Sequence, residues 1–151
     1  PNQQTGRSAP MRLRALVAMS ANFGVELDPS KLDRQDKDEL AAALVRHKEI
    51  RRLVRLGDLY RLEDPFAGPR SAWLIVAKDK GEAVVFVVQP LASLQGLDPR
   101  PLRLAGLDPA LDYRIPELDQ TWNGEALMAG CLVPDLGKGD YAGALYRLLS
   151  R

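Results

Sequence analysis

The sequence predicts a mainly β chain, with one long helix followed by an antiparallel β-sandwich. Three observations lead there. Residues 32–56 repeat apolar side chains at helical spacing. Composition changes near Gly57, after which short runs of branched and aromatic residues are punctuated by Gly, Pro and Asp. The 151-residue chain, 46% hydrophobic and 27% charged, has the balance of a globular domain.

Each element follows in order. Residues 1–10 hold two prolines, a glycine and several amide and hydroxyl side chains, which is a loop composition. Residues 11–20 favour a short helix. In residues 22–27 large apolar side chains alternate with small or polar ones, so a brief strand is expected, broken by Asp28-Pro29-Ser30. The long helix starts from a cap formed by Ser30 with Asp33 or by Asp33 with Asp36. Its apolar face runs through Leu40, Leu44, Ile50, Leu53 and Val54, with His47 between them. Acids crowd its start and Arg51, Arg52 and Arg55 its end, which suits the helix dipole, and Gly57 is the expected stop. Strands are expected at 59–62, 72–77, 83–89, 101–104, 112–115, 121–122, 127–133 and 142–149. Asp79-Lys80-Gly81 is a hairpin signal between two of them. Leu97-Asp98-Pro99 and Leu107-Asp108-Pro109 punctuate the middle, ten residues apart and too close for a repeat architecture.

Charge and cysteine content exclude several classes. With 21 Lys+Arg against 20 Asp+Glu, the chain lacks the bias of a basic nucleic-acid binder or an acidic disordered tail. Twelve Gly and 11 Pro are too few for a collagen-like chain. Apolar runs such as 83–88 are far short of the ~20 residues of a membrane helix. The one cysteine, Cys131, cannot form an internal disulfide, which suits a reducing compartment; a cytoplasmic location is expected. The chain opens at Pro1 without an initiator Met or a secretory signal, and we expect a piece of a longer protein.

No catalytic set emerges from the residues. His47, the only histidine, has no nucleophile or second ligand near it and reads as a partly buried structural residue. One His and one Cys far apart cannot supply a zinc site. Cys131, in an apolar run, reads as a small buried side chain. Gly137-Lys138-Gly139-Asp140 lacks the spacing and the following helix of a phosphate loop and reads as a plain hairpin loop. The basic stretch 46–55 reads as a solvated, dipole-compensating face. Trp73 lies in Ala72-Trp73-Leu74-Ile75-Val76 and reads as core. Trp122, beside Asn123 and Gly124 in a turn-like stretch, is the better candidate for stacking on a sugar ring, with packing as the plainer role. Of the carboxylates, only Glu26 and Asp28 follow a strand in a setting that suggests chemistry.

Several blocks together resemble bacterial α-galactosidases of glycoside hydrolase family 36. Pro1-Asn2-Gln3-Gln4-Thr5-Gly6-Arg7 resembles the family's P-N-H-Q-T-G-R loop. Ala18-Met19-Ser20-Ala21-Asn22-Phe23-Gly24-Val25-Glu26-Leu27-Asp28 resembles its A-M-S-G-N-F-G-Y-E-L-D. Lys48-Glu49-Ile50-Arg51, Gly57-Asp58-Leu59-Tyr60-Arg61-Leu62 and Pro65-Phe66 resemble its K-E-I-R, G-D-F-Y-R-L and P-F blocks. Leu104-Ala105-Gly106-Leu107-Asp108-Pro109, Tyr113-Arg114-Ile115 and Glu125-Ala126-Leu127-Met128 resemble its C-terminal end. The blocks are collinear and span nearly the whole chain. Departures are Gln3 for His, Ala21 for Gly, and Val25 and His47 for Tyr.

The resemblance implies an architecture and an activity. Residues 1–57 would end a (β/α)8 catalytic barrel, with 22–27 its last strand and 32–56 its last helix. Residues 58–151 would be a C-terminal antiparallel β-sandwich. The family hydrolyses terminal α-galactosides with retention, using aspartates in K-W-D-x-N and S-D-x-T-D motifs. Neither motif occurs here, so no catalytic, substrate-binding or metal residue is carried over and the chain alone is expected to be inactive. No cofactor is expected. The expected partners are the remainder of the barrel and a second copy in a homo-oligomer, with the α-galactoside substrate bound only by the intact protein and no nucleic acid or membrane. The exposed face of the 32–56 helix is expected to pack on the sandwich or on a second copy. A free-standing carbohydrate-binding β-sandwich is the alternative.

Overall fold

The Asp33 carboxylate accepts a hydrogen bond from the Asp36 backbone N–H at 2.7 Å, so of the two possible caps the second one starts the long helix. In the computed structural model, which describes residues 4–92 and 100–151, this helix is α2, Arg34–Leu56. It follows α1, Met11–Met19, and a 3-10 turn at Pro29–Lys31. Pro1, Asn2 and Gln3 of the opening loop, and Leu97-Asp98-Pro99, lie outside the described residues. After α2 come β1 (Asp58–Glu63), β2 (Ser71–Val76), β3 (Glu82–Gln89), β4 (Asp112–Ile115), β5 (Gln120–Asn123), α3 (Gly124–Ala129) and β6 (Ala142–Ser150).

Gly57 stops α2, but not through the left-handed conformation that usually favours glycine there. Its φ is −77° and ψ 171°. A Cβ at this position would sit 2.8 Å from the carbonyl oxygens of both Leu53 and Val76 and 2.6 Å from Ile75. Only glycine lets the helix end press against β2 and lead directly into β1.

The six described strands form one antiparallel sheet, in the order β1-β2-β3-β6-β4-β5. This corrects the expected sandwich of two sheets. Both faces of the single sheet are covered, by different material. Val84, Phe86 and Val88 of β3 and Ile75 of β2 face α1 and α2, meeting Leu13, Leu16, Ile50 and Leu53. Ala83, Val85 and Val87 face the other way, where Leu102, Leu104, Leu127, Leu132 and the β4 residues Tyr113 and Ile115 complete a second core. Period-2 alternation thus puts apolar side chains on both sides of β3, which is why 83–88 is unbroken by polar residues. A second sheet is not needed: a short helix, a hairpin and irregular chain bury the same surface.

Two expected strands are corrected. Residues 127–133 contain the end of α3, not a strand. Asn123 caps that helix, its Oδ1 accepting from the Ala126 N–H at 2.8 Å, and Gly130 closes it at φ 109°. Capping at both ends outweighs the β propensity of Leu132 and Val133. Residues 101–104 make only an isolated bridge, Leu102 to Leu132, because the Leu104 N–H donates instead to the Leu127 carbonyl in α3. The strands expected at 59–62, 72–77, 83–89, 112–115, 121–122 and 142–149 are present within a residue or two at each end.

The helices are held on the sheet by polar contacts as well. Glu117, in the turn between β4 and β5, accepts hydrogen bonds from Arg46 of α2 and from the backbone N–H and Nε of Arg147 in β6, the last two at 2.9 and 3.1 Å. Arg147 also donates to Glu49 of α2 at 2.9 Å. On the edge of the sheet, the fully buried Arg70 is held by Glu63, Nε to Oε2 at 2.6 Å, and donates to the Arg100 carbonyl at 2.8 Å. Charge-assisted hydrogen bonds satisfy a cation that burial alone would make costly.

Candidate functional site

The region between α1 and α2 carries the features that no packing need explains. Ser20 closes α1, its hydroxyl donating to the Val17 carbonyl at 2.7 Å. The chain then passes through Asn22, Phe23, Gly24, Val25, Glu26 and Leu27 before Asp28 captures the Ser30 N–H and hydroxyl at 2.9 and 2.7 Å. The expected strand at 22–27 is absent from this segment. A strand needs a neighbour for its backbone groups, and every described strand belongs to the sheet beneath the helices. Among the described residues, the backbone of 22–27 makes no hydrogen bond. Open grooves of about 920 and 430 Å³ flank it on its two sides.

The larger groove lies between this segment and the C-terminal half of α2. Phe23 and His47 meet edge to face, ring centroids 5.3 Å apart at 89°. His47 Nδ1 is buried there without a hydrogen-bond partner among the described residues. Burial, and secondarily the Arg51 guanidinium, push the His47 pKa below its ordinary value, opposed by the nearby Met19 carbonyl. His47 is thus partly buried, as its place on the helix predicts. The helix buries Leu40, Ala43, Ile50 and Leu53 against α1 and the sheet, whereas Leu44 stays exposed. Packing on the sheet was one of the two expected fates of the helix, and the stripe that does so is rotated from the one read in the sequence.

The remaining candidates are scattered. Glu26 and Asp28 are exposed, and Asp28 serves the turn: the Ser30 hydroxyl, then the Ser30 N–H, hold its carboxyl below the ordinary value. Cys131 is exposed, a correction to its reading as a buried side chain; the residues on either side of it alternate, with Leu132 turned inward. Residues 137–140 form an exposed loop that enters β6 without a helix; the element before it is α3, so it does not close the expected hairpin. Trp73 is half-buried and stacks on Phe86 at 5.6 Å. Trp122 is 37% exposed, on edge strand β5 rather than in a turn, opposite Tyr113, with its indole N–H donating to Gln120 at 3.1 Å. Among the described residues no three His, Cys, Asp or Glu gather closely enough to hold a metal ion, and no helix is long and apolar enough to cross a membrane. The Glu117 and Arg70 clusters were not read from the sequence: Glu117 lies 71 residues from Arg46 and 30 from Arg147, and no local pattern announces such a contact.

Comparison with known proteins divides the chain in two. Residues 70–148 match the sequence model described as the glycosyl hydrolase family 36 C-terminal domain, and residues 1–57 match the one described as melibiase. The α-galactosidase AgaA of Geobacillus stearothermophilus is 39% identical over 148 residues, 98% of this chain and 20% of that protein. The α-galactosidase Mel36A of Lactobacillus acidophilus is 36% identical over 146 residues, 97% of this chain and 20% of its own length. The structure superposes on a crystal structure of an AgaA variant in complex with raffinose with a TM-score of 0.92 at 38% identity, covering 100% of this chain and 21% of that one. The chain spans about a fifth of the length of these relatives.

Proposed function

The chain belongs to glycoside hydrolase family 36, and on that basis we propose that it forms one end of an α-galactosidase. In this reading residues 1–57 are the last part of a (β/α)8 catalytic barrel, with 22–27 at its last strand position and α2 its last helix. Residues 58–151 are the C-terminal domain behind it. The observation that carries the reading is the order of the two family matches, which change over between residues 57 and 70, next to the glycine where α2 meets the sheet. The unbonded backbone of 22–27 supports it, because a barrel would supply a neighbouring strand on each side.

The whole protein would hydrolyse terminal α-linked galactose from oligosaccharides with retention of configuration. One aspartate would form a galactosyl-enzyme intermediate that water then releases, with a second carboxyl acting as acid and base. Both aspartates would lie in the barrel outside this sequence, since neither motif occurs within it. The role of this chain is then to close the barrel and buttress its last helix, and alone it is inactive.

The test is a chimera. The matched fifth of the Geobacillus AgaA is replaced by this chain, and hydrolysis of a chromogenic α-galactoside and of raffinose is measured. An active chimera together with an inactive isolated chain supports the reading. A folded but inactive chimera, or hydrolysis by the chain alone, overturns it. Self-association of the isolated chain, proposed for its uncovered helix face, is read by light scattering.

A further inference from the structure

The larger groove differs in charge from the rest of α2. Elsewhere on this helix arginines find carboxylates: Arg34 pairs with Asp38 and Arg46 with Glu117. Arg51 and Arg55 line the groove and have no carboxylate within ion-pair distance among the described residues. Arg52 lies at its edge and also borders a second pocket with Asp79 and Glu82, so the argument rests on Arg51 and Arg55. Among the described residues, the groove lining contains no Asp or Glu. Its floor is apolar and aromatic, built from Phe23, Val54 and Leu56, the last 52% exposed. The buried Nδ1 of His47, without a hydrogen-bond partner among the described residues, adds a polar atom within the same wall.

Two guanidiniums above an apolar floor select their occupant. A purely apolar segment would bury the floor but desolvate Arg51 and Arg55 without pairing them, a cost of the kind that unpaired buried charges always carry. A basic segment would add like-charge repulsion. A nucleic acid needs a broad basic surface, whereas this chain is nearly neutral and the two arginines edge a concave wall. We propose that the groove between Phe23 and α2 is a docking seam for an acidic, partly apolar polypeptide segment, whose carboxylates pair with Arg51 and Arg55. This rests on the reading above, in which α2 is the last helix of a (β/α)8 barrel, and the segment is then supplied by another part of that barrel.

The test uses the whole 151-residue chain, labelled with 15N, and a synthetic amphipathic peptide that alternates Glu with Phe and Leu. A second peptide carries Lys at every Glu position, and a dT10 oligonucleotide serves as the nucleic-acid probe. The acidic peptide is expected to shift amide signals in residues 20–24 and 47–56 with a Kd of about 1 mM or tighter. Its affinity should fall about tenfold in the Arg51→Glu, Arg55→Glu double variant and severalfold at high salt, because such pairs are screened. An Arg34→Glu variant, far along the helix, should bind normally, and the circular dichroism of each variant reports that it remains folded. Equal binding of the lysine peptide, preferential binding of the oligonucleotide, or no shift in these residues overturns the proposal. The chimera reports separately on the family role: an active chimera with no peptide binding removes only the acidic seam, and a failed chimera with charge-dependent binding removes only the intramolecular occupant.

Discussion

Glu117 concentrates more inter-element contact than any residue singled out from the sequence. It meets Arg46 on α2 and both the backbone and side chain of Arg147 on β6, while Arg147 reaches Glu49. With its side chain only 16% exposed, removing the carboxylate leaves the partly buried Arg147 with Glu49 as its one remaining carboxylate among the described residues, and Arg46 with none. Glu117→Ala is expected to cost about 1–3 kcal/mol in urea unfolding, and Glu117→Gln less, because the amide oxygen still accepts a hydrogen bond. His47 gives a pH signature. Its folded pKa is depressed, so the unfolded chain takes up the proton first. Stability is then full above the ordinary histidine value of 6.5 and declines as pH falls through that value toward the lower folded pKa. Replacing His47 with Phe should flatten that part of the stability profile, as read by urea midpoints between pH 5 and pH 8. Unchanged pH dependence in the variant would assign the effect to other groups.

At the scale of elements, local signals and close approach divide the work. Asp33 is a single-residue device: Asp33→Ala removes the acceptor for the Asp36 N–H and should cost about 1 kcal/mol, with loss of helical signal in the first turn of α2. Gly57 is a two-element device. Because two backbone carbonyls lie 2.8 Å from where its Cβ would be, Gly57→Ala must push α2 away from β2. A loss of about 2 kcal/mol or more is expected from thermal unfolding, against the few tenths to 1 kcal/mol gained where alanine fits a glycine's backbone. The short helix α3 depends on Asn123 and Gly130 in the same way as α2 depends on Asp33. The apolar run 126–133 has the look of a strand, but the caps at Asn123 and Gly130 set its first half as a helix.

At the scale of the molecule, β3 lies at the centre, buried on both faces, while α1, α2 and the 22–27 segment lie on one side with open grooves. Hydrogen exchange should therefore be slowest in β3 and β2 and faster in α1 and the end of α2, where fewer neighbours restrain local opening; uniform protection would contradict this ordering. The sequence by itself determined the long helix, two candidate caps for it, most strands, the hairpin at 79–81 and, through its collinear blocks, membership in glycoside hydrolase family 36. Those features rest on local periodicity, capping chemistry and residue order, which are written along the chain. Tertiary structure alone decided that the strands join into one sheet, that residues 22–27 have no strand to pair with, that Cys131 faces solvent, and that Glu117 ties α2 to β6. Each of these depends on which distant backbone or side chain comes within hydrogen-bonding or van der Waals reach, and no spacing within the sequence encodes that distance.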